Sequence, residues 1–206
     1  MATTLEGRVY QRAAVLTAVA KAVSENFGGK RKDFMEPRDL RDAVKVLRAA
    51  VRAVPGAYAV IVGGLAVQEL GYERYTKDVD AVVDSDHFTE VLARLREAGF
   101  ELTPLRVLKH RETGVELDLL REGAQLKDAR LPLPHPRELG PNLGTATLPG
   151  LLRLKLDAHR LQDQADVVAL LKPRLNEIER LCQEIPVPLR KEFLELAVIA
   201  RREAGI

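Results

Sequence analysis

The 206-residue chain has one cysteine, Cys182, no tryptophan, four tyrosines and five phenylalanines. A lone thiol closes no internal disulfide, so the chain suits a reducing compartment, and the cytoplasm is the expected location. With aromatics at 4%, the core must be built mainly from Leu, Val and Ala. The same scarcity counts against a nucleic-acid binder of the stacking type, which needs exposed aromatic faces. No apolar run approaches the roughly 20 residues needed to span a bilayer. Glu6, Arg8 and Arg12 interrupt the stretch where a signal peptide would be apolar. No membrane association is therefore expected. An excess of one charge is also missing: 32 Lys and Arg stand against 30 Asp and Glu, a net charge of +2. Bulk attraction to a polyanion is not indicated, although a local basic patch stays open.

The composition that is present, 46% hydrophobic and 30% charged, is that of an ordinary globular protein. The length allows one domain with a helical appendage, or two small lobes. Apolar residues near helical spacing predict a helix from Glu6 to Glu25, broken at Asn26-Phe27-Gly28-Gly29. A basic triplet, Lys30, Arg31 and Lys32, follows and reads first as a solvated loop. A second helix is predicted from Pro37 to Val54, with Leu40, Val44, Leu47 and Val51 as its apolar stripe. Strands are predicted at Tyr58–Val62, Asp78–Val83, Glu101–Lys109 and Val115–Leu120. Helices are expected at Leu65–Leu70 and Asp86–Ala98, and Thr113-Gly114 is a hairpin-turn candidate. Alternating Pro132, Pro134 and Pro136 argue against regular structure in the stretch they occupy. Further helices are expected at Leu148–His159, Gln164–Leu171, Pro173–Gln183 and Pro188–Ala204. The expected organisation is thus an N-terminal helical segment (1–54), an α/β core (55–125), a proline-rich linker (126–149) and a C-terminal helical lobe (150–206).

Three carboxylates stand out by position. Asp78 and Asp80 lie two apart on a predicted strand, so both project from one face while Val79, Ala81 and Val83 take the other. Like charges side by side are tolerated in water or around a cation. Asp118 sits inside the apolar run Val115–Leu120, where a carboxylate without a partner is costly. If the two strands are neighbours, the three carboxylates share one face. Oxygen-only donors of this kind suit Mg2+ or Mn2+, and such ions can hold phosphates for in-line displacement. Glu116, two before Asp118, shares its face. The pair Gly63-Gly64 closes a strand and opens a helix, a place where backbone amides can meet an anion. Alone the pair is weak evidence; followed by Asp-x-Asp about fifteen residues later, it becomes more specific.

The run Val62-Gly63-Gly64-Leu65-Ala66, then Gly71, Arg74, Thr76, Asp78 and Asp80, resembles the signature of the polymerase-β-like nucleotidyltransferases. Within that superfamily it is most similar to the small prokaryotic abortive-infection, toxin-type branch. Leu154-Lys155-Leu156 and Arg160-Leu161-Gln162-Asp163-Gln164-Ala165-Asp166 resemble the second motif of that branch, with Gln162 where lysine is usual. The resemblance covers about residues 55 to 172. It implies a small mixed α/β sheet flanked by helices, and transfer of a nucleoside monophosphate from an NTP to a hydroxyl. Asp78, Asp80 and Asp118 would bind Mg2+ or Mn2+, with Asp118 also helping to deprotonate the acceptor. Gly63 and Gly64 would hold the triphosphate, and Lys155 would neutralise it. Arg74, Thr76, Arg160 and Asp163 would complete a nucleotide site between the sheet and the C-terminal helices.

The acceptor is not legible: RNA, a protein side chain and a small molecule all fit. An RNA acceptor predicts a basic stripe, with Lys30, Arg31, Lys32, Lys109 and Arg111 as candidates. The competing class is a non-catalytic nucleotide binder, or one half of a toxin–antitoxin pair with a cognate antitoxin protein. The oligomeric state is not legible. His87, His110, His135 and His159 show no mutual metal spacing and read as structural, as does Cys182 between Leu181 and Ile185.

Overall fold

A computed structural model describes residues 37–104 and 107–205. The predicted helix at Glu6–Glu25, its glycine break and the Lys30–Lys32 triplet lie outside the described residues. The chain is a mixed α/β protein that divides into two compact units. One holds residues 37–126 and 131–151; the other holds residues 127–130 and 152–205.

The first unit is built on a five-stranded sheet of order β1-β2-β5-β4-β3. Its strands are β1 (Ala59–Val62), β2 (Asp78–Val83), β3 (Phe100–Leu102), β4 (Leu108–His110) and β5 (Glu116–Arg121). β2 and β5 pair in parallel, and every other pairing is antiparallel. The helices of this unit are α1 (Pro37–Arg52), α2 (Gly63–Glu69), α3 (Phe88–Glu97) and α4 (Pro136–Leu139). Val79, Ala81, Val83 and Leu117 share a core with Ala43, Leu47 and Val51 of α1 and Val91 and Leu95 of α3. Each fully buried aliphatic side chain contributes about 1.5–3 kcal/mol, and here the odd positions of β2 supply them.

The expected strand Glu101–Lys109 is instead two strands, β3 and β4, folded on each other. Pro104, without an N–H, interrupts the ladder, and the Thr103 amide closes the turn on the Val107 carbonyl at 2.8 Å. The proline-rich stretch carries more structure than alternating prolines suggest. Pro136 starts α4, where its missing N–H costs nothing, and His135 caps the helix in a reciprocal box with Glu138. The chain then runs beside β1, with Leu143 and Ala146 amides on the Ala59 and Ile61 carbonyls, both at 2.8 Å. Thus residues 131–151 group with the sheet, not as a bare tether.

Asp84, just after β2, accepts from the amides of Tyr58 at 2.6 Å and His87 at 3.0 Å, and pairs with the His87 ring at 2.6 Å. Burial alone would raise this carboxyl. Its bonds to Tyr58 and His87, and the nearby His87 charge, outweigh burial and hold it below the usual carboxylate range.

The second unit is helical: most of α5 (Leu148–Ala158), then α6 (Leu161–Leu171), α7 (Ile178–Glu184) and α8 (Val187–Glu203). The predicted helix Pro173–Gln183 begins as a 3-10 segment, Lys172–Glu177, with Arg174 out of helical conformation. Among the described residues, no helix is long and apolar enough to cross a membrane.

Candidate active site

The parallel register of β2 and β5 sets Asp80 beside Asp118 and Asp78 beside Glu116. All four therefore occupy one face of the sheet, and all are half-buried. The opposite face carries Val79 and Leu117, which are fully buried. The alternation is why the sequence can place carboxylates here: one parity of the strands anchors the core, while the other stays half-buried at Asp78, Asp80, Glu116 and Asp118 and closes only at Val82.

The glycine pair packs directly against this face. At Gly63, φ is +65°, and a Cβ there would stand 1.7 Å from Asp80 Oδ2. At Gly64 a Cβ would meet Thr76 Oγ1 at 2.5 Å. Thr76 is buried, and its hydroxyl donates to Asp78 Oδ1 at 2.8 Å. The two glycines are thus spaces into which an aspartate carboxylate and a threonine hydroxyl fit. Sequence reasoning had a reason for glycine, the approach of a phosphate, but did not see that Asp80 and Thr76 fill these positions. Arg74 lies in the loop before β2, where Gln68 of α2 donates to its carbonyl.

The donor set is hard oxygen, which suits Mg2+ or Mn2+, and the backbone register aligns Asp80 with Asp118. In the described residues, no group of three His, Cys, Asp or Glu side chains stands ready to hold an ion. The side chains point to a reason: Asp78 is turned to Thr76, whereas Asp80 lies over Gly63. The backbone fits an oxygen-ligated ion; these rotamers do not yet form its ligand shell.

The other residues of interest lie in the helical unit. Lys155 Nζ is 2.7 Å from Asp163 Oδ1 and 2.8 Å from Asp166 Oδ2, and all three side chains are buried. Arg160 Nε donates to Asp163 Oδ2 at 2.6 Å, and Gln162 donates to Asp166 Oδ1 at 3.1 Å. Two cations thus face two carboxylates. Gln162 adds a donor without adding a charge, so the cluster is neutral. Burial pushes the Asp163 carboxyl up, but the Lys155 charge and the Arg160 and Lys155 hydrogen bonds hold it below the ordinary carboxylate range.

A second network in the same unit was missed from sequence. Buried Glu192 binds Arg130 Nη2 at 2.7 Å and His159 Nδ1 at 2.5 Å, and the Arg130 amide donates to Asp157 at 2.9 Å. No local signal could have found it, because Arg130 and Glu192 are 62 residues apart. Each of the four histidines has a structural partner: His87 with Asp84, His110 with Phe100 and Thr113, His135 at the α4 cap, and His159 with the distant Glu192. Cys182 is half-buried, less enclosed than its apolar neighbours suggested.

Of the residues expected to form a basic stripe, Arg111 is paired with Glu101 at 2.7 Å. Lys109 stands beside Glu116 in the β4–β5 ladder. Neither forms an unopposed run.

No protein-family profile and no curated protein matches the chain. Among solved structures it is similar to a cytoplasmic RNA terminal U-transferase, at 19% identity and a TM-score of 0.36. The likeness covers 82% of this chain and 48% of that one, so the chain spans less than half the length of the protein it matches.

Proposed function

We propose that the chain is a nucleotidyltransferase of the polymerase-β-like kind. It would transfer a nucleoside monophosphate from an NTP to an acceptor hydroxyl with release of pyrophosphate. The observation that carries this reading is the carboxylate face: Asp80 beside Asp118 in parallel register, Asp78 two residues before, and Asp80 seated over Gly63.

Asp78, Asp80 and Asp118 would hold Mg2+ or Mn2+, which when bound supplies charge neutralisation to the phosphates. Asp118 takes the proton from the acceptor hydroxyl as its oxygen bonds to the α-phosphorus and the bond to pyrophosphate breaks. Thr76 orients the Asp78 carboxylate through its hydroxyl. Gly63 and Gly64 remain the proposed triphosphate contact, with Arg74 in the adjoining loop. In the helical unit, Lys155 is already matched by two carboxylates. It acts by anchoring Asp163 and Asp166, and Arg160, which donates to Asp163, is part of the same cluster. A toxin–antitoxin setting, with a cognate antitoxin as partner, is a finer reading of the same enzyme.

The test is calorimetry with each of the four NTPs, with and without Mg2+, on wild type and on Asp78→Ala/Asp80→Ala. Metal-dependent binding that the double variant loses supports the site and names the base. A folded wild type that binds no NTP rules the reading out. Binding with no transfer to RNA, protein or small-molecule acceptors favours the non-catalytic alternative.

A further inference from the structure

We propose that the groove between α1 and α2 binds the phosphodiester backbone of a single-stranded RNA, the polymer that supplies the acceptor hydroxyl. The acceptor role rests on the nucleotidyltransferase reading; the binding itself does not.

The groove has a volume of about 460 Å³. Its floor is aliphatic, from Leu40, Val44 and Leu65, and its rim is cationic, from Arg41, Lys45 and Arg48. On α1 the basic residues Arg41, Lys45, Arg48 and Arg52 recur at intervals of four, three and four. That spacing puts them in a line on one helical face, over about 16 Å of axis at 1.5 Å per residue. Like charges at such spacing repel by a few tenths of a kcal/mol per pair, so the line favours an extended anion. Asp42 offsets part of it through Lys45 at 2.8 Å, and Lys45 is still 75% exposed. The groove also holds one carboxylate, Glu69, which accepts from the Thr145 hydroxyl and keeps its charge, so the lining cations Arg41, Lys45 and Arg48 outnumber it three to one. The Arg48 guanidinium is held in place by the Leu143 carbonyl at 2.8 Å.

A line of cations over an aliphatic floor fits a strand bearing one charge per unit better than an amphipathic peptide, which needs an aromatic or deep apolar pocket. Gln68 donates its amide to the Arg74 carbonyl. This leaves Oε1 as an uncharged acceptor in the groove, suited to a ribose 2′-hydroxyl. The second wall of the groove is α2, which begins at Gly63 under Asp80. A strand in the groove thus lies within about 10 Å, the length of α2, of the carboxylate face. Among the described residues, no aromatic side chain lines the groove. Binding strength therefore comes from phosphate contacts, with steep salt dependence and little base preference, and the Gln68 contact to the 2′-hydroxyl is what separates RNA from DNA.

The experiment measures anisotropy of a short labelled single-stranded RNA against the full chain over a salt series. Wild type is compared with Arg41→Gln/Lys45→Gln, and NTP calorimetry is run on both. In the double variant RNA affinity falls about tenfold at low salt, and the log–log salt slope shrinks by about 1.4, the share of two phosphates on a single strand. NTP binding and the circular dichroism spectrum stay as in wild type. An unchanged RNA affinity and slope overturns the proposal. So does equal binding of DNA of the same sequence, or binding of an acidic peptide with none of RNA. A wild type that binds RNA through these residues but no NTP keeps the groove and removes the nucleotidyltransferase reading instead.

Discussion

A methyl group at position 63 would lie 1.7 Å from Asp80 Oδ2, on a residue whose φ is +65°. Both facts act against any side chain there. A left-handed backbone costs a non-glycine residue about 1–3 kcal/mol, and Asp80 must also turn away. Gly63→Ala is therefore expected to lower stability by about that amount in a denaturant titration and to lose NTP binding as Asp80 leaves its seat. Asp118→Asn keeps the shape and removes the proton acceptor. It should lower nucleotidyl transfer by about 10²–10⁴-fold while the fold stays intact, measured with labelled NTP once an acceptor is in hand. A fall in melting temperature with unchanged turnover would mean that Asp118 is structural. At this scale the sequence placed residues on a face more readily than it named their neighbours in space. That Asp78 and Asp80 share a face, and that Asp118 takes the same parity as Glu116, was legible because strand periodicity is two. The seat of Asp80 over Gly63 was not, since it joins residues brought together only by the β1–β2 pairing; the Thr76–Asp78 bond is local, and spacing alone did not show which way the Asp78 side chain turns.

Elements decide what the buried cluster of α5 and α6 can tolerate. Removing the Lys155 charge leaves Asp163 and Asp166 buried beside each other. Lys155→Met should then cost about 3–5 kcal/mol, and adding Asp163→Asn and Asp166→Asn should recover most of it. Additive losses in urea unfolding would show that the groups do not act as a unit. The pH dependence has a definite sign. Asp163 is held below its ordinary pKa in the folded chain, so its stabilisation is complete above the unfolded value of about 3.9. It is lost as pH falls through the lower folded value. Acidification from neutral pH to the carboxylate range should thus destabilise wild type more than Asp163→Asn. Element identity was largely legible here: helical spacing anticipated α5, α6 and α8 to within a few residues. The break between β3 and β4 was misread as one strand because an apolar run around Pro104 hides a turn. The 3-10 opening before α7 was hidden in the same way by a proline that also suits a helix start.

On the scale of the whole molecule, the partition of the chain was the least legible feature. Residues 131–151 return to β1, and their amides meet carbonyls more than eighty residues away; local composition reported only prolines. Charge poses the same problem of distribution against total. With 32 basic and 30 acidic residues, overall electrostatics would give RNA little reason to bind, so any affinity must come from where the cations sit. Two variants that each remove two positive charges separate these causes. Arg41→Gln/Lys45→Gln alters the α1 groove, whereas Lys191→Gln/Arg201→Gln alters exposed positions on α8 in the other unit. Both bring the formal charge from +2 to 0. If position governs, only the first pair weakens RNA binding and flattens its salt slope, by about 0.7 for each phosphate no longer neutralised. Equal weakening by the two pairs would assign the affinity to diffuse charge and leave α1 as a solvated helix face.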